Sequence, residues 1–264
     1  MMNKPQQETS GRLLALDTSS AAQAVAVLEQ NRVLYESNNP AERNHSVNLL
    51  PEIRRALEES GTDRRKLAGI AVGIGPGSYT GVRIAVTTAK TLAWSLNVPV
   101  AAVSSLEAQA LTGLEAEAPA GRGWVVPLVD ARRGQAYTAL FAADASAGGD
   151  AAPERLAEDA ILLVDQWTAR IAERIRELPP ADRPAFVLFT GETAKHEEAL
   201  RGLAEAAGLP PERVLLRDCE AEGRWIGRLG GRLLAEGKAA DAHGLLPNYT
   251  QVTEAEANLL RGRS

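Results

Sequence analysis

The chain has 264 residues, 45% of them hydrophobic and 24% charged, and its 29 Lys and Arg against 34 Asp and Glu give a net charge of −5. This length is sufficient for one large domain or for two lobes with separate cores. The acidic balance argues against a stand-alone binder of nucleic acid, because contacts to phosphate dominate such affinity. Any nucleic-acid role would be shared with a basic partner.

Signals for membrane insertion and secretion are absent from the sequence. No window approaches the ~18 consecutive apolar residues of a membrane helix. The polar segment 1–11 lacks the apolar centre of a signal peptide and is predicted to be a disordered lead-in. The single cysteine, Cys219, excludes an internal disulfide and is typical of a reducing compartment. The sequence therefore predicts a cytoplasmic protein without membrane contact.

The first elements along the chain are β-strands. Three β-type runs are predicted at 12–17, 22–28 and 32–37, the last two joined by a short hairpin connection. The first run ends in Asp17, and Thr18 and Ser19 follow it. Strands with this turn between them resemble the opening of the actin-like ATPase superfamily, in which the turn holds nucleotide phosphates. Alternatively, Asp17 and the hydroxyls satisfy the backbone groups of the turn. The residues alone leave both interpretations open.

A helix is predicted at 52–60, since apolar residues precede and enter it at spacings of three or four. Gly61 stands where a C-terminal glycine belongs. Pro51 either begins the regular helix or kinks a longer one. The residues of the proposed apolar face are Val47, Leu50, Ile53 and Leu57.

Histidine gives no metal site in this sequence. A pair of histidines four residues apart would lie on one helical face, but Leu49 stands four residues after His45. The other two histidines, His196 and His243, also have no neighbour at ligand spacing. We therefore expect no metal.

The segment 73–81 has four glycines in nine residues and lies between a predicted strand, 67–72, and a predicted helix, 82–96. A glycine turn before a helix presents free N–H groups to an anion or to a partner. The segment does not match the dinucleotide fingerprint, the P-loop or the hydrolase elbow. The residues leave open a tight turn without a ligand, a structural hinge that directs the following helix at another protein, and an anion site on the free N–H groups.

The predicted elements then repeat. The helix 82–96 carries an alanine-rich stripe suited to close helix packing. A strand at 98–103 and a helix that starts after Ser104 and runs through Leu111 follow. The Pro/Gly/Ala-rich stretch 116–123 is the candidate lobe boundary. The second set comprises strands at 124–129 and 135–142, a low-complexity loop at 143–152, a helix at 164–178, a strand at 185–190, a helix at 194–207, a short strand at 214–216 and a helix at 225–236.

Two ordered repetitions of strands and helices indicate an α/β protein with two related lobes, each a mixed β-sheet flanked by helices. The predicted organisation is a lead-in at 1–11, a first lobe at 12–115, a second lobe at 116–218, a C-terminal helix and tail at 219–250 that pack back on the first lobe, and a flexible tail at 251–264.

Five motifs occur in one order and together resemble the bacterial TsaB (YeaZ) family. These motifs are LALDTS at 14–19, HSVNLLP at 45–51, GPGSYTGVR at 75–83, SSL at 104–106 and DARRG at 130–134. The resemblance covers roughly 12–250, and the glycine-rich and DARRG strings are its most specific parts.

The resemblance implies the actin-like ATPase (ASKHA) fold and a non-catalytic subunit in tRNA threonylcarbamoyladenosine biosynthesis. The implied partners are TsaD, the catalytic paralogue, and TsaE, an ATPase. The modified position is the adenosine next to the anticodon (A37) of tRNAs that read ANN codons, and tRNA would be met only through the complex. The resemblance leaves open whether the chain, when alone, forms a homodimer through the same helices or stays a monomer. The implied partner-binding residues are His45, Leu49, Leu50, Ile53, Val82, Val86 and Leu92.

The departures from catalytic relatives agree with a subunit that performs no chemistry. The second phosphate turn of actin-like ATPases is glycine-rich, whereas Arg132 and Arg133 occupy it here. We expect no catalytic residue and no cofactor. If nucleotide binds weakly, the implied residues are Asp17, Thr18, Ser19, Gly75, Gly77 and Ser78.

Two enzyme alternatives remain. The first is an actin-like, nucleotide-dependent kinase or ATPase, which would require carboxylate-bound Mg²⁺ and an intact phosphate cradle. The second is a metalloprotease of the glycoprotease type, although this sequence has no H-E-x-x-H motif.

Overall fold

The computed structural model describes residues 11–40, 45–145 and 152–250, and it describes only the backbone of His45. The predicted lead-in, apart from Gly11, and the predicted flexible tail lie outside these residues. So does most of the predicted low-complexity loop, since residues 146–151 are not described.

Two five-stranded sheets form the framework. The first sheet has the order β3-β2-β1-β4-β5 and consists of β1 (Arg12–Asp17), β2 (Ala22–Glu29), β3 (Arg32–Pro40), β4 (Leu67–Gly73) and β5 (Val100–Val103). The second has the order β8-β7-β6-β9-β10 and consists of β6 (Arg122–Arg132), β7 (Gln135–Asp144), β8 (Glu154–Leu163), β9 (Val187–Gly191) and β10 (Val214–Arg217). In each sheet the first three strands are antiparallel and the last two run parallel to the first.

Three helices accompany each sheet in the same places along the chain. They are α1 (His45–Glu59), α2 (Tyr79–Leu96) and α3 (Ser105–Glu117) for the first set, and α4 (Val164–Glu177), α5 (Glu197–Ala207) and α6 (Gly223–Ala235) for the second. The repeated order of strands and helices confirms the predicted actin-like architecture of two related lobes.

The last helix of each set packs between the two sheets. On one face of α3, Leu106 and Ala110 contact the second sheet at Val125 and Phe141. The helix α6 packs against the first sheet, where Trp225 and its neighbours join the core of β1, β2 and β4. The first sheet is therefore covered in part by α6, which follows the strands of the second sheet. The second sheet is covered in part by α3, which follows the strands of the first. Of the helices in the described ranges, none is long and apolar enough to cross a membrane.

Capping residues determine where two helices start. Ser78 accepts a hydrogen bond from the Gly81 N–H at 3.3 Å, so α2 begins at Tyr79, before the predicted start at residue 82. Ser104 accepts one from the Glu107 N–H at 3.3 Å, as predicted. The helix α3 continues to Glu117, beyond the predicted end at Leu111, so the stretch 116–123 begins inside a helix.

The predicted apolar face of α1 was right for Ile53 and Leu57, which pack on the core, and wrong for Val47 and Leu50. Val47 and Leu50 are 69% and 59% exposed, whereas Leu49, Ile53 and Ala56 are buried against the first sheet. Both stripes have helical spacing, and packing selects the second. Pro51 lies inside the helix and is exposed, so α1 extends from His45 through it.

The strand β8 was not predicted. Its residues include four acidic or basic side chains among Leu, Ile and Ala, which obscures the alternation of a strand. It pairs with β7 at the edge of the second sheet, where half-buried polar residues are tolerated.

The close approach of α6 to the first sheet depends on glycine. A Cβ built on Gly230 would lie 2.2 Å from the Cβ of Ala71, which is fully buried on β4. The neighbouring Gly231 has more room, since its nearest atom, Cδ2 of Leu13, would lie 3.6 Å away. Only the first glycine is required by packing.

We therefore expect Gly230→Ala to lower the free energy of unfolding by about 1–3 kcal/mol, because a rigid methyl contact must be relieved. The matched control Gly231→Ala should leave it unchanged or raise it by up to about 1 kcal/mol through helix propensity. Urea unfolding of both variants measures the difference. Equal effects at the two positions would contradict this account of the α6 packing.

Candidate functional site

The turn after β1 packs directly onto the glycine-rich segment. The Ser78 N–H donates to the carbonyl of Ser19 at 2.6 Å, and the Thr18 hydroxyl donates to the carbonyl of Gly81 at 2.7 Å. A Cβ on Gly77 would lie 2.2 Å from the Ser19 carbonyl oxygen. A Cβ on Gly81 would lie 1.9 Å from that of Thr18. These glycines are therefore needed for contact between two loops of the same chain.

Asp17 is held within this contact. It is 1% exposed, and its Oδ1 accepts hydrogen bonds from the N–H and the hydroxyl of Ser19, both at 2.7 Å. Its Oδ2 accepts one from the hydroxyl of Ser105, which in turn accepts from the Gly75 N–H at 3.0 Å. Both carboxylate oxygens thus bind groups of the protein itself.

A cleft of about 760 Å³ separates this region from the second lobe. Of the six residues predicted to hold nucleotide, Ser19, Gly77 and Ser78 line the cleft. Asp17, Thr18 and Gly75 lie behind them and are buried. The structure therefore brings the six residues together, but half of them face their neighbours in the chain.

The opposite wall of the cleft is the β6–β7 turn. Arg132 and Arg133 have φ angles of 66° and 54°, in the left-handed region that non-glycine residues seldom adopt. Both side chains are exposed, and Arg132 lines the cleft. The turn expected to bind phosphate in ATPases of this fold thus presents two guanidinium groups.

Asp130 organises the base of that turn. Its Oδ2 accepts from the Lys195 ammonium at 2.7 Å, and its Oδ1 accepts from the Arg132 N–H at 3.1 Å. Burial alone would raise the pKa of Asp130, but the hydrogen bonds from Lys195 and Arg132 outweigh it and hold this pKa below its ordinary value. The carboxylate is therefore ionised and internally paired. Among the described residues, no group of three or more His, Cys, Asp or Glu side chains is placed to hold a metal ion.

The first lobe has a second candidate site, on the outer surface of α1 and α2. The predicted partner-binding residues Leu49, Ile53, Val82 and Val86 are 1–5% exposed and belong to the core beneath these helices. Leu92 is half-buried against the same core, and the side chain of His45 lies outside the described residues. Of the predicted set, Leu50 is exposed, at 59%. The side chains that a partner would reach are thus largely different from those predicted.

The exposed face of α2 carries little charge. Its exposed residues besides Arg83 are Tyr79, Thr80, Thr87, Thr91, Trp94 and Ser95. The guanidinium of Arg83 lies 4.7 Å from the Tyr79 ring centre and donates to the Tyr79 hydroxyl. The Lys90 ammonium donates to two backbone carbonyls. The helix has no acidic residue. A solvated helix face normally carries charged residues. We therefore regard this face of α2, with its exposed Tyr79 and Trp94, as an interaction surface that continues onto Val47 and Leu50 of α1.

The sequence held two signals for this surface that were not used. The helix α1 has more apolar residues than one buried stripe requires, and α2 has two charged residues in 18. The surplus apolar residues of α1 and the missing charge of α2 each indicate a helix surface that a partner covers.

Replacing Asp17 tests whether its carboxylate is structural. We expect Asp17→Ala to lower the free energy of unfolding by roughly 3–5 kcal/mol, because three buried donors would lose their acceptor. The control Asp165→Ala, at an exposed carboxylate in the first turn of α4, should cost less than about 1 kcal/mol. Chemical denaturation gives both values. A loss below about 1 kcal/mol for Asp17→Ala would show that the carboxylate is free for another role.

Cys219 provides a test that depends on protonation. Burial raises the pKa of its thiol to about 12. A raised pKa favours the neutral thiol, so at pH 8 only about one molecule in ten thousand carries the reactive thiolate. Alkylation by iodoacetamide should therefore be at least about 100-fold slower in the folded protein than in guanidinium chloride. Similar rates in the two states would contradict the raised pKa.

Comparison with known proteins agrees with these features. The family model of TsaD, tRNA N6-adenosine threonylcarbamoyltransferase, matches residues 38–225. The Bacillus subtilis protein named tRNA threonylcarbamoyladenosine biosynthesis protein TsaB is 34% identical over 252 residues, 95% of this chain and 99% of that protein. A transferase from Erythrobacter litoralis is 34% identical over 107 residues, 40% of this chain and 31% of that protein. The structure of YeaZ from Pseudomonas aeruginosa has a TM-score of 0.68 and 27% identity, covering 90% of this chain and 99% of that one. The chain therefore belongs to the TsaB (YeaZ) family.

Proposed function

We propose that this protein acts in tRNA threonylcarbamoyladenosine biosynthesis as a non-catalytic, cytoplasmic subunit that binds and activates a TsaD-type transferase. The observation that carries this proposal is the weakly charged outer face of α2, which lies beside the exposed Val47 and Leu50 in the N-terminal part of α1. In the proposed complex the TsaE-type ATPase is recruited to the pair, and tRNA is bound through the assembly.

The likeness to TsaD-type enzymes supports the choice of partner. A chain that shares this fold would present an equivalent pair of helices, so the two chains could pair about a pseudo-twofold axis, each helix pair meeting the other. The same geometry permits a homodimer when the transferase is absent. Binding of this kind activates the partner when it favours the active conformation over the inactive one.

The contacts of Asp17 support a subunit without chemistry of its own. A kinase or ATPase of this fold needs a carboxylate free for Mg²⁺ and an open phosphate cradle. Here both oxygens of Asp17 accept hydrogen bonds from Ser19 and Ser105. The exposed Arg132 and Arg133 take the place of the glycines of the second cradle.

The choice of test variant follows from burial. A charge at Val86, which is 3% exposed, would disrupt the core of the first lobe, so loss of binding would not report on the surface. Leu50 is 59% exposed and tolerates replacement in the folded chain. Leu163, 40% exposed at the end of β8 in the second lobe, is a matched control away from the helices.

We expect Leu50→Arg to weaken binding to the TsaD-type partner at least about tenfold, because the arginine would be desolvated in the interface. Leu163→Arg should bind within about twofold of the unchanged protein. Calorimetric titration gives both affinities, and circular dichroism checks that both variants fold. In a reconstituted reaction with the transferase and the ATPase, tRNA modification should fall with Leu50→Arg in proportion to lost binding. Full modification in the complete absence of this chain would overturn the proposal.

A further inference from the structure

The C-terminal segment 240–250, here named the strap, runs along the side of α2. Its Ala240 N–H donates to the carbonyl of Val100 at 2.8 Å, at the open edge of the first sheet. The Lys90 ammonium of α2 then donates to the carbonyls of His243 and Leu245, both at 2.9 Å. Leu245 is buried in the core below α2. The strap is thus fixed to the same layer as α1 and α2.

The far end of the strap is held as firmly as its beginning. The Asn248 N–H donates to the carbonyl of Ile74 at 2.8 Å, and its side-chain amide donates to Asp159 on β8 at 3.0 Å. The ring centre of Tyr249 lies 5.7 Å from that of Tyr79 at the start of α2. The strap therefore runs beside α2 from Lys90 to Tyr79 in a defined conformation, which lowers the entropy lost when a partner binds it.

The order of elements makes the strap the outer neighbour of α2. In the first sheet, α1 lies over β2 and β3, while α2 lies over β1, β4 and β5. The strap pairs with the outer edge of β5. The sequence across this layer is therefore α1, α2 and strap, with α2 in the centre.

The exposed side of the strap has the same character as the exposed side of α2. Leu246 is 66% exposed and Tyr249 is 47% exposed, beside Tyr79 at 53%. Residues 245–250 include no charged side chain. Arg83, Tyr79 and Tyr249 form one cluster of the residue types that dominate binding energy in protein interfaces.

The dimensions of the surface also favour three elements. The 18 residues of α2 give a length of about 27 Å. If each element is about 8–10 Å wide, three elements of this length form a face of roughly 700 Å². The helices α1 and α2 alone form about two thirds of that area. A stable interface covers about 800 Å² on each partner, so the strap completes a surface of the usual size.

We propose that the strap is the third element of the partner-binding face and that Leu246 and Tyr249 contact the TsaD-type transferase together with α1 and α2. This inference rests on the proposed function for the identity of the partner. The occupant is a chain of the same fold that presents its own helix pair to Tyr79, Tyr249 and Leu246.

The test measures the affinity of the full-length protein for the purified transferase by calorimetric titration. The double variant Leu246→Ser/Tyr249→Ser should raise the Kd at least tenfold, and Leu246→Ser alone should raise it by a smaller factor. Tyr249→Phe, which retains the ring, should restore binding to within about twofold. Leu163→Ser, an exposed leucine on the second lobe, serves as the control and should also stay within about twofold.

The outcomes separate the two proposals. In one outcome Leu50→Arg weakens binding, while Leu246→Ser and Leu246→Ser/Tyr249→Ser bind within twofold of the unchanged protein. The strap is then not part of the face, and this inference fails while the proposed function stands. If neither Leu50→Arg nor the strap variants weaken binding, the α1–α2 face itself is not the interface. If the strap variants abolish only self-association, measured by analytical ultracentrifugation, the strap serves a second copy of this chain and the inference is overturned. The single Leu246→Ser variant keeps the test decisive if the double variant unfolds, since Leu246 is largely solvated.

Discussion

The contact between the β1–β2 turn and the glycine-rich segment is the constraint on which the first lobe depends. Two carbonyl oxygens, of Thr18 and Ser19, occupy the space that Cβ atoms would need at Gly81 and Gly77. Because the segment is held by these contacts, the first turn of α2 starts at one defined point and the helix leaves the sheet in one direction. The orientation of α2, and hence the outer face of the lobe, follows from a packing requirement and needs no ligand.

The sequence predicted the repeated order of elements, since strands and helices with clear periodicity and with Ser104 as a cap need no tertiary information. It did not predict the rotation of α1, because Val47–Leu50 and Leu49–Ile53 both have helical spacing and only contact with the sheet distinguishes them. The strand β8 was missed for a related reason. Its charged residues Arg155 and Asp159 interrupt the apolar pattern while they bind groups at the junction of the lobes.

For the candidate sites, too, the sequence indicates which segments are involved but not which side chains are exposed. The structure places the six residues proposed for nucleotide close together, at the ends of β1 and β4. Whether such residues face a ligand or one another depends on atoms less than 3 Å apart, as at Gly73, where a Cβ would overlap the Asp17 carboxylate. The apolar stripes of α1 and α2 were likewise found, but burial assigns most of the named residues to the core. The sequence alone did not show which apolar residues of these two helices are exposed.

Asp159 links the outer face to the relative position of the lobes. Although it lies on β8 of the second sheet, it accepts hydrogen bonds from Ser104 at the start of α3 and from Asn248 of the strap, and it pairs with Arg155. Arg155 in turn pairs with Glu107 on α3. A protein that bound the strap would also stabilise the junction through Asn248, because displacement of the second lobe would separate this amide from its carboxylate acceptor. The proposed subunit catalyses no reaction itself. These hydrogen bonds and ion pairs would couple binding at α1, α2 and the strap to the cleft between the lobes.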